Sequence, residues 1–173
     1  MTFVLDDDYV NLTGLQVILN TGYANSYAIY QSPASTTNNF SKIDSCIARG
    51  NLTADVSNVI GFTGSAGTDR RLVINCIAYG FCNASNNSGT GFILGGNTAS
   101  GNELFYNCTA YGCAYGFDDA MHRGGRVYNC VSMNNAVADF YGNYSSTGSD
   151  YNCSEDTTAP GSTYIRSAVI AST

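Results

Sequence analysis

Charge is what this sequence has least of. Only 12% of its 173 residues are charged, about half the ~25% of an ordinary globular chain. Seven basic residues stand against thirteen acidic ones, a net charge of −6, and the basic ones form no patch. Phosphate recognition needs clustered Lys and Arg, so no nucleic-acid partner is expected. There is no tryptophan, one lysine (Lys42) and one histidine (His122). The helix formers Glu, Lys and Gln are scarce, which argues against a helical bundle. No apolar run approaches the ~20 residues of a membrane span, so no membrane partner is expected. The opening MTFVLDDDYV has neither the basic nor the apolar part of a signal peptide. It starts directly in strand-like sequence and reads as a segment of a longer protein. No Asn-Gly or Asp-Gly dipeptide occurs, which removes the tight hairpin turns of an antiparallel sandwich. No Cys-x-x-Cys pair occurs either, so the usual zinc-type ligand spacing is missing.

What is present is 44% hydrophobic residues, 19 Gly, 13 Tyr and 7 Cys, with an Asn/Ser/Thr-rich polar share suited to turns and strands. The cysteines carry a repeat. IDSCIARG (Ile43 to Gly50), VINCIAYG (Val73 to Gly80), FYNCTAYG (Phe105 to Gly112), VYNCVSMN (Val127 to Asn134) and DYNCSEDT (Asp150 to Thr157) align on Cys. NLTGLQVI (Asn11 to Ile18) joins them with Gly14 and Leu15 in the Asn and Cys places. A second phrase alternates with the first: SYAIYQ, NVIGFTG, GTGFILG, AYGFDDA and AVADFYG. Cys108 and Cys130 are 22 residues apart, and Cys130 and Cys153 are 23 apart. The upstream spacings are longer by loop insertions such as FCNASNNSGT (Phe81 to Thr90). A short period holding three β-prone stretches predicts an all-β fold, a single-stranded right-handed parallel β-helix of about five to six coils. It forms one domain over 1–173, with 156–173 as a closing segment.

Stacking puts equivalent residues about 4.8 Å apart in columns. Cys46, Cys76, Cys108, Cys130 and Cys153 are expected as one inward column of reduced thiols, alternating with outward Ile47, Ile77, Thr109 and Val131. Ala48, Ala78 and Ala110 form a second inward column. Asn75, Asn107, Asn129 and Asn152 fall at the preceding corner, where Asn tolerates the left-handed conformation and stacked amides can bond along the ladder. Asn107 and Asn152 also read as glycosylation sequons, as chance allows in so Asn-rich a chain. Ile29, Phe62, Phe92, Phe117 and Phe140 are expected inward. Their outward neighbours Tyr30, Thr63, Ile93, Asp118 and Tyr141 make the face where a ligand is expected, with Tyr30, Thr63, Asp118 and Tyr141 as the contacts. Cys82 and Cys113 lie outside the thiol column, and free thiols or a disulfide both remain open there.

These phrases resemble the pectate-lyase-like β-helix superfamily, most nearly the calcium-dependent pectate lyases with Asn-Cys-x-Ala coils followed by Asp-Asp-Gly-Phe-Asp. The likeness runs from Asp8 to about Gly161. It implies a calcium held by carboxylates around the Gly-aromatic pair, and a lysine base. Only Asp118 matches; Ala114 and Tyr115 stand where two further acids belong, and Lys42 does not match the base. A hard cation wants six to eight oxygens, so no cofactor is expected beyond a weak Ca²⁺ candidate at Asp118. The tail DYNCSEDTTAPGSTYIRSAVIAST resembles the closing coils of phage, virus and bacterial surface β-helices.

Asp118, Asp119, His122 and Arg123 remain as catalytic candidates. They read as an acid–base cluster, a solvated turn, or a sugar or ion contact. LDDDY (Leu5 to Tyr9) is a similar acidic turn. Adjacent Asp118 and Asp119 would face opposite sides of a strand, which does not suit the paired carboxylates of a glycosidase. The expected function is a non-enzymatic scaffold of a virion or cell-surface assembly, with carbohydrate as a partner and a homotrimer as one form. The alternative is a lyase or hydrolase of acidic polysaccharides.

Overall fold

The computed structural model describes residues 3–5, 10–31, 40–52, 55–64, 70–93, 103–119, 124–145 and 148–165. These residues hold strands and no helix, in a repeating order of three. The first triplet is β1 (Phe3–Leu5), β2 (Asn11–Thr13) and β3 (Gln16–Thr21). Next come β4 (Ser26–Gln31), β5 (Phe40–Asp44) and β6 (Ile47–Leu52), then β7 (Val59–Gly64), β8 (Arg70–Ile74) and β9 (Ile77–Tyr79). The fourth triplet is β10 (Thr90–Ile93), β11 (Leu104–Tyr106) and β12 (Thr109–Tyr111). The fifth is β13 (Tyr115–Asp119), β14 (Arg126–Tyr128) and β15 (Val131–Met133). The chain finishes with β16 (Ala138–Gly142), a bridge at Asp150, β17 (Asn152–Ser154) and β18 (Tyr164–Ile165).

Every third strand pairs in parallel with its counterpart one coil away. Sheet 1 runs β1-β4-β7-β10-β13-β16, sheet 2 runs β2-β5-β8-β11-β14, and sheet 3 runs β3-β6-β9-β12-β15-β17-β18. The chain is a parallel β-helix, and the repeat spacing is its pitch.

Local chemistry sets each corner. Between sheets 2 and 3 the chain turns through a left-handed residue at Gly14, Ser45, Asn75, Asn107 and Asn129, with φ of 73°, 54°, 54°, 53° and 54°. Asn is among the few non-glycine residues that reach this region readily. Its amide also links the coils: Asn107 Nδ2 donates to Asn75 Oδ1 at 3.2 Å, and Asn75 Nδ2 to Asp44 Oδ1 at 3.0 Å. The ladder therefore ends on a carboxylate. Lys42, then Asn75 and Ser45, hydrogen-bond Asp44 and hold its carboxyl down at about 2.

The next residue points inward. The thiols of Cys46, Cys76, Cys108 and Cys130 each donate to the carbonyl two residues earlier, at 3.3, 3.1, 3.4 and 3.4 Å. Each also reaches a sheet 2 carbonyl one coil below: Leu12, Ile43, Val73 and Phe105 in turn. The column thus supplies weak donors to corner carbonyls, besides the apolar packing expected of a buried thiol.

The fifth sulfur departs from the expected column. Val131 pairs with Cys153 and Ser132 with Ser154, so Cys153 falls in the outward row. Tyr151 takes the left-handed corner at φ 55°, and Asn152 occupies the thiol place, fully buried. Asn152 Nδ2 donates to Val127 O at 2.9 Å, continuing the carbonyl series of the thiols, and to Pro160 O at 3.1 Å. Its Oδ1 accepts from Cys130 N at 2.9 Å. A two-headed amide can finish a stack from both sides where a thiol cannot, and the 22-residue step is preserved.

Sheet 1 contributes the aromatic core. Phe62, Phe92, Phe117 and Phe140 stack with centroids 4.9, 4.7 and 5.0 Å apart, and Ile29 extends the column. Gly61, Gly91 and Gly116, which precede the first three phenylalanines, face inward too. A Cβ on Gly61 would lie 3.3 Å from the Cβ of Ala78 and 2.6 Å from Gly91 O. Ala48, Ala78, Ala110, Ser132 and Ser154 line the facing side, so the small residues let two sheets meet closely. Phe81 opens a loop in sequence yet is fully buried in this core. Between sheets 1 and 2, buried Arg71 is ion-paired with Glu103.

Residues 149–163 cover the last coil. Asp139 N donates to Asp156 Oδ2 at 3.0 Å and Phe140 N to Thr158 Oγ1 at 2.9 Å. Side chains thereby occupy main-chain donors on the edge strand β16, which blunts its capacity to pair further. Ala159 sits over the core end, fully buried.

Candidate functional site

The outer face of sheet 1 gathers the residues expected to touch a ligand. Val4 pairs with Tyr30 and Tyr30 with Thr63. Ile93 pairs with Asp118 and Asp118 with Tyr141. The pairing of Phe62 with Phe92 joins the two halves into one row. Tyr141 is half-exposed, Tyr30 and Asp118 are partly exposed, and Thr63 is nearly buried.

A second row lies beside it in register: Tyr27, Ile60, Thr90, Tyr115 and Ala138, of which Ile60, Thr90 and Ala138 are buried and only the two tyrosines are partly exposed. Strict alternation hides this row. Gly and Phe are consecutive inward residues, so outward positions on these strands fall three apart. The available signal was the aromatic three places before the expected contact. Tyr27 and Tyr30 pack at 5.2 Å, and Tyr115 and Tyr141 at 5.2 Å. The strip carries a tyrosine pair near each end, and between them Ile60, Thr63 and Thr90 are buried while Ile93 is partly exposed.

Asp118 and Asp119 do face opposite ways. Asp118 stands in the outer row between Ile93 and Tyr141, while Asp119 is fully buried opposite Gly142. Tyr144 closes over this end, its hydroxyl donating to Phe117 O at 2.8 Å. Desolvation, followed by the charges of Asp118 and Asp119, pushes the Tyr144 phenol well above its ordinary range. His122, Arg123 and residues 6–9 of the acidic LDDDY turn lie outside the described residues.

A polar cleft of about 520 Å³ opens at the corner between sheets 3 and 1 in the last coils, lined by Cys82, Asn86, Asn134, Asn135, Asp139 and Glu155 among others. Its buried acid is already occupied. Asp139 Oδ1 accepts from Asn135 Nδ2 at 2.6 Å, and Oδ2 from Glu155 N and Asp156 N at 2.7 and 3.0 Å. Burial raises its carboxyl above the ordinary value, against these bonds. Glu155 Oε2 accepts from Asn134 N at 2.7 Å. Cys82 and Cys113 both carry free thiols, so the disulfide left open from sequence is not formed. Cys82 donates to Asn86 Oδ1 at 3.3 Å, and buried Cys113 to Tyr111 O at 3.6 Å.

The same engagement holds for Asp55, Asp150 and Glu103. Asp55 takes Ser85 N and Oγ at 2.7 Å each. Asp150 accepts from the main chain at Tyr151 and Thr163, and Glu103 from Arg71. Among the described residues no group of three or more His, Cys, Asp or Glu side chains comes together to hold a metal ion. No protein-family model, curated protein or solved structure matches the chain.

Proposed function

We propose that this β-helix is a non-catalytic scaffold module of an extracellular or virion assembly, and that the outer strip of sheet 1 binds carbohydrate. One observation carries the reading: the acids Asp44, Asp55, Glu103, Asp139, Asp150, Glu155 and Asp156 hold main-chain donors, amides or cations of the fold itself. A glycosidase needs two carboxylates facing one bond, and Asp118 and Asp119 face apart. Carbohydrate is the favoured ligand class because the strip carries a tyrosine pair near each end, whose rings match an apolar face with a polar tip. From the rung of Tyr30 to that of Tyr141 is four steps, roughly 19 Å at ~4.8 Å each, room for a short oligosaccharide. The pectate-lyase-like likeness supports the same ligand class, with the calcium position reduced to Asp118.

Calorimetric titration with neutral and acidic oligosaccharides, run beside a cleavage screen on acidic polysaccharides with and without Ca²⁺, tests this. Binding without turnover, weakened about tenfold by Tyr141→Ala, is the expected result. Turnover that Asp118→Asn abolishes would instead establish the enzyme.

A further inference from the structure

The corners between sheets 3 and 1 differ in length from coil to coil, and the difference cuts a notch in the wall of the solenoid. Residues 80–89 join β9 to β10, residues 112–114 join β12 to β13, and residues 134–137 join β15 to β16. These corners stack directly, since Ala114 N donates to Phe81 O and Ala136 N to Cys113 O, both at 2.9 Å. The short middle corner is therefore the floor of the cleft of about 520 Å³. The long loop forms one wall, and the next corner, backed by Glu155 and Asp156, forms the other.

Both walls are fixed. Buried Asn83 holds the long loop from inside: its Oδ1 accepts from Asn87 N at 3.0 Å and Ser88 N at 3.2 Å, and its Nδ2 donates to Val56 O at 3.4 Å. Asp55 anchors the same loop through Ser85. Across the cleft, Asn134 N donates to Glu155 Oε2 at 2.7 Å. Insertions in a repeat fold often gather on the face that binds, and the volume falls within the ~300–1,000 Å³ of small-molecule sites.

The lining chemistry narrows what fits. Among the described residues, Asn86 Nδ2, the Asn134 side-chain amide and Glu155 Oε1 have no hydrogen-bond partner. Amide donors and carboxylate or amide acceptors together are the mixed set that hydroxyl groups satisfy, each being donor and acceptor at once. Asp139, Glu155 and Asp156 line the cleft, and no described Lys, Arg or His does. Walls of one charge sign concentrate their field in a cleft, so a further carboxylate is repelled from it. The floor also leads onto sheet 1: Tyr115 follows Cys113 by two residues and packs against Tyr141 at 5.2 Å.

We propose that the notch is a subsite for sugar units without an acidic group, continuing the sheet 1 strip at its Tyr115–Tyr141 end. The assignment rests on the saccharide reading of that strip and fixes which saccharides it admits. Asn86 and Asn134 bind hydroxyls, while Glu155 accepts from a hydroxyl and turns uronates away.

Probes of equal length test it: the neutral cellohexaose, mannohexaose and maltohexaose, and hexagalacturonate, which carries a carboxylate on every unit. Calorimetry at low salt is expected to show the best neutral probe bound at least tenfold more tightly than hexagalacturonate, with the gap narrowing as salt screens the cleft. In amide NMR spectra that probe moves Gly112, Cys113 and Ala136 along with Tyr115 and Tyr141. Glu155→Gln, which keeps an acceptor for Asn134 N, narrows the gap at least threefold. Asn134→Gly, which suits the φ of 56° there, weakens the neutral probe at least threefold; circular dichroism of both variants matches the original chain. Hexagalacturonate bound as tightly as the neutral probes overturns the inference, and so does a folded Glu155→Gln that leaves the gap unchanged. Neutral binding that moves Tyr115 and Tyr141 but not Gly112, Cys113 and Ala136 also overturns it, and the sheet 1 reading survives. Failure of all four probes to bind, or shifts that spare Tyr115 and Tyr141, removes that reading and the inference together.

Discussion

Replacing Asn152 by Ala and, separately, Cys153 by Ser asks which of the two neighbours belongs to the inner column. Aligning the repeats on cysteine places Cys153 inside and Asn152 at the corner. The register places Asn152 inside, with bonds to Cys130 N, Val127 O and Pro160 O at 2.9, 2.9 and 3.1 Å. Each such bond contributes about 1 kcal/mol net, and an orphaned buried donor costs a further ~1–3 kcal/mol. Asn152→Ala is therefore expected to cost about 4–6 kcal/mol, a large share of the ~5–15 kcal/mol total stability of a domain. Cys153→Ser alters a partly exposed outward side chain and is expected to stay within ~0.5 kcal/mol. Asn152→Cys should fall between, since a thiol there can still reach Val127 O but not Pro160 O as well. Urea denaturation followed by circular dichroism and by tyrosine fluorescence reads all three. A cost under about 1 kcal/mol for Asn152→Ala, or equal costs at the two sites, would refute the register argument.

Three further outcomes follow from the same geometry. Asn107→Ala loses a ladder bond and places a Cβ-bearing residue without a polar side chain at φ 53°, costing about 1–2 kcal/mol by thermal denaturation; Asn107→Gly recovers roughly half of that. Gly91→Ala would put a methyl 2.8 Å from Gly116 O and 3.3 Å from Cys113 Sγ, so overpacking of about 1–3 kcal/mol is expected from denaturant midpoints. Asp44 has its carboxyl lowered to about 2, Lys42 first. A depressed acid contributes stability above its unfolded value of about 3.9 and loses it as pH falls toward 2. Asp44→Asn should therefore flatten the acid limb of the stability curve between about pH 4 and pH 2, measured as denaturant midpoint against pH.

Much of the fold was legible because a solenoid repeats one local problem. The corner needs a left-handed residue, the core beside it needs something small, and the next sheet needs an aromatic. Asn107, Cys108 and Phe117 answer these in one coil, and Asn129, Cys130 and Phe140 answer them in the next. The opposite facing of Asp118 and Asp119 followed from strand period alone. The second row on the outer side of sheet 1 did not. Tyr27 and Tyr115 are outward only because Gly and the following core residue both turn in, an irregularity that period-two reasoning cannot register.

The end of the stack was the least legible part. Asp139 pairs opposite Gly116 in the next coil, and a buried acid at a glycine position contradicts the repeat. It is tolerated because Glu155, Asp156 and Asn135 deliver donors to it, residues that come together only once the segment has crossed the last coil. The coil is written in the residue order: its pitch, its corners and its aromatic core each depend on residues a few places apart and on like neighbours above and below. How the coil stops is settled by contacts that exist only in the folded chain. At the final rung there is no neighbour above, so unsatisfied main-chain donors and acceptors, rather than likeness to the previous repeat, choose which residue takes each place.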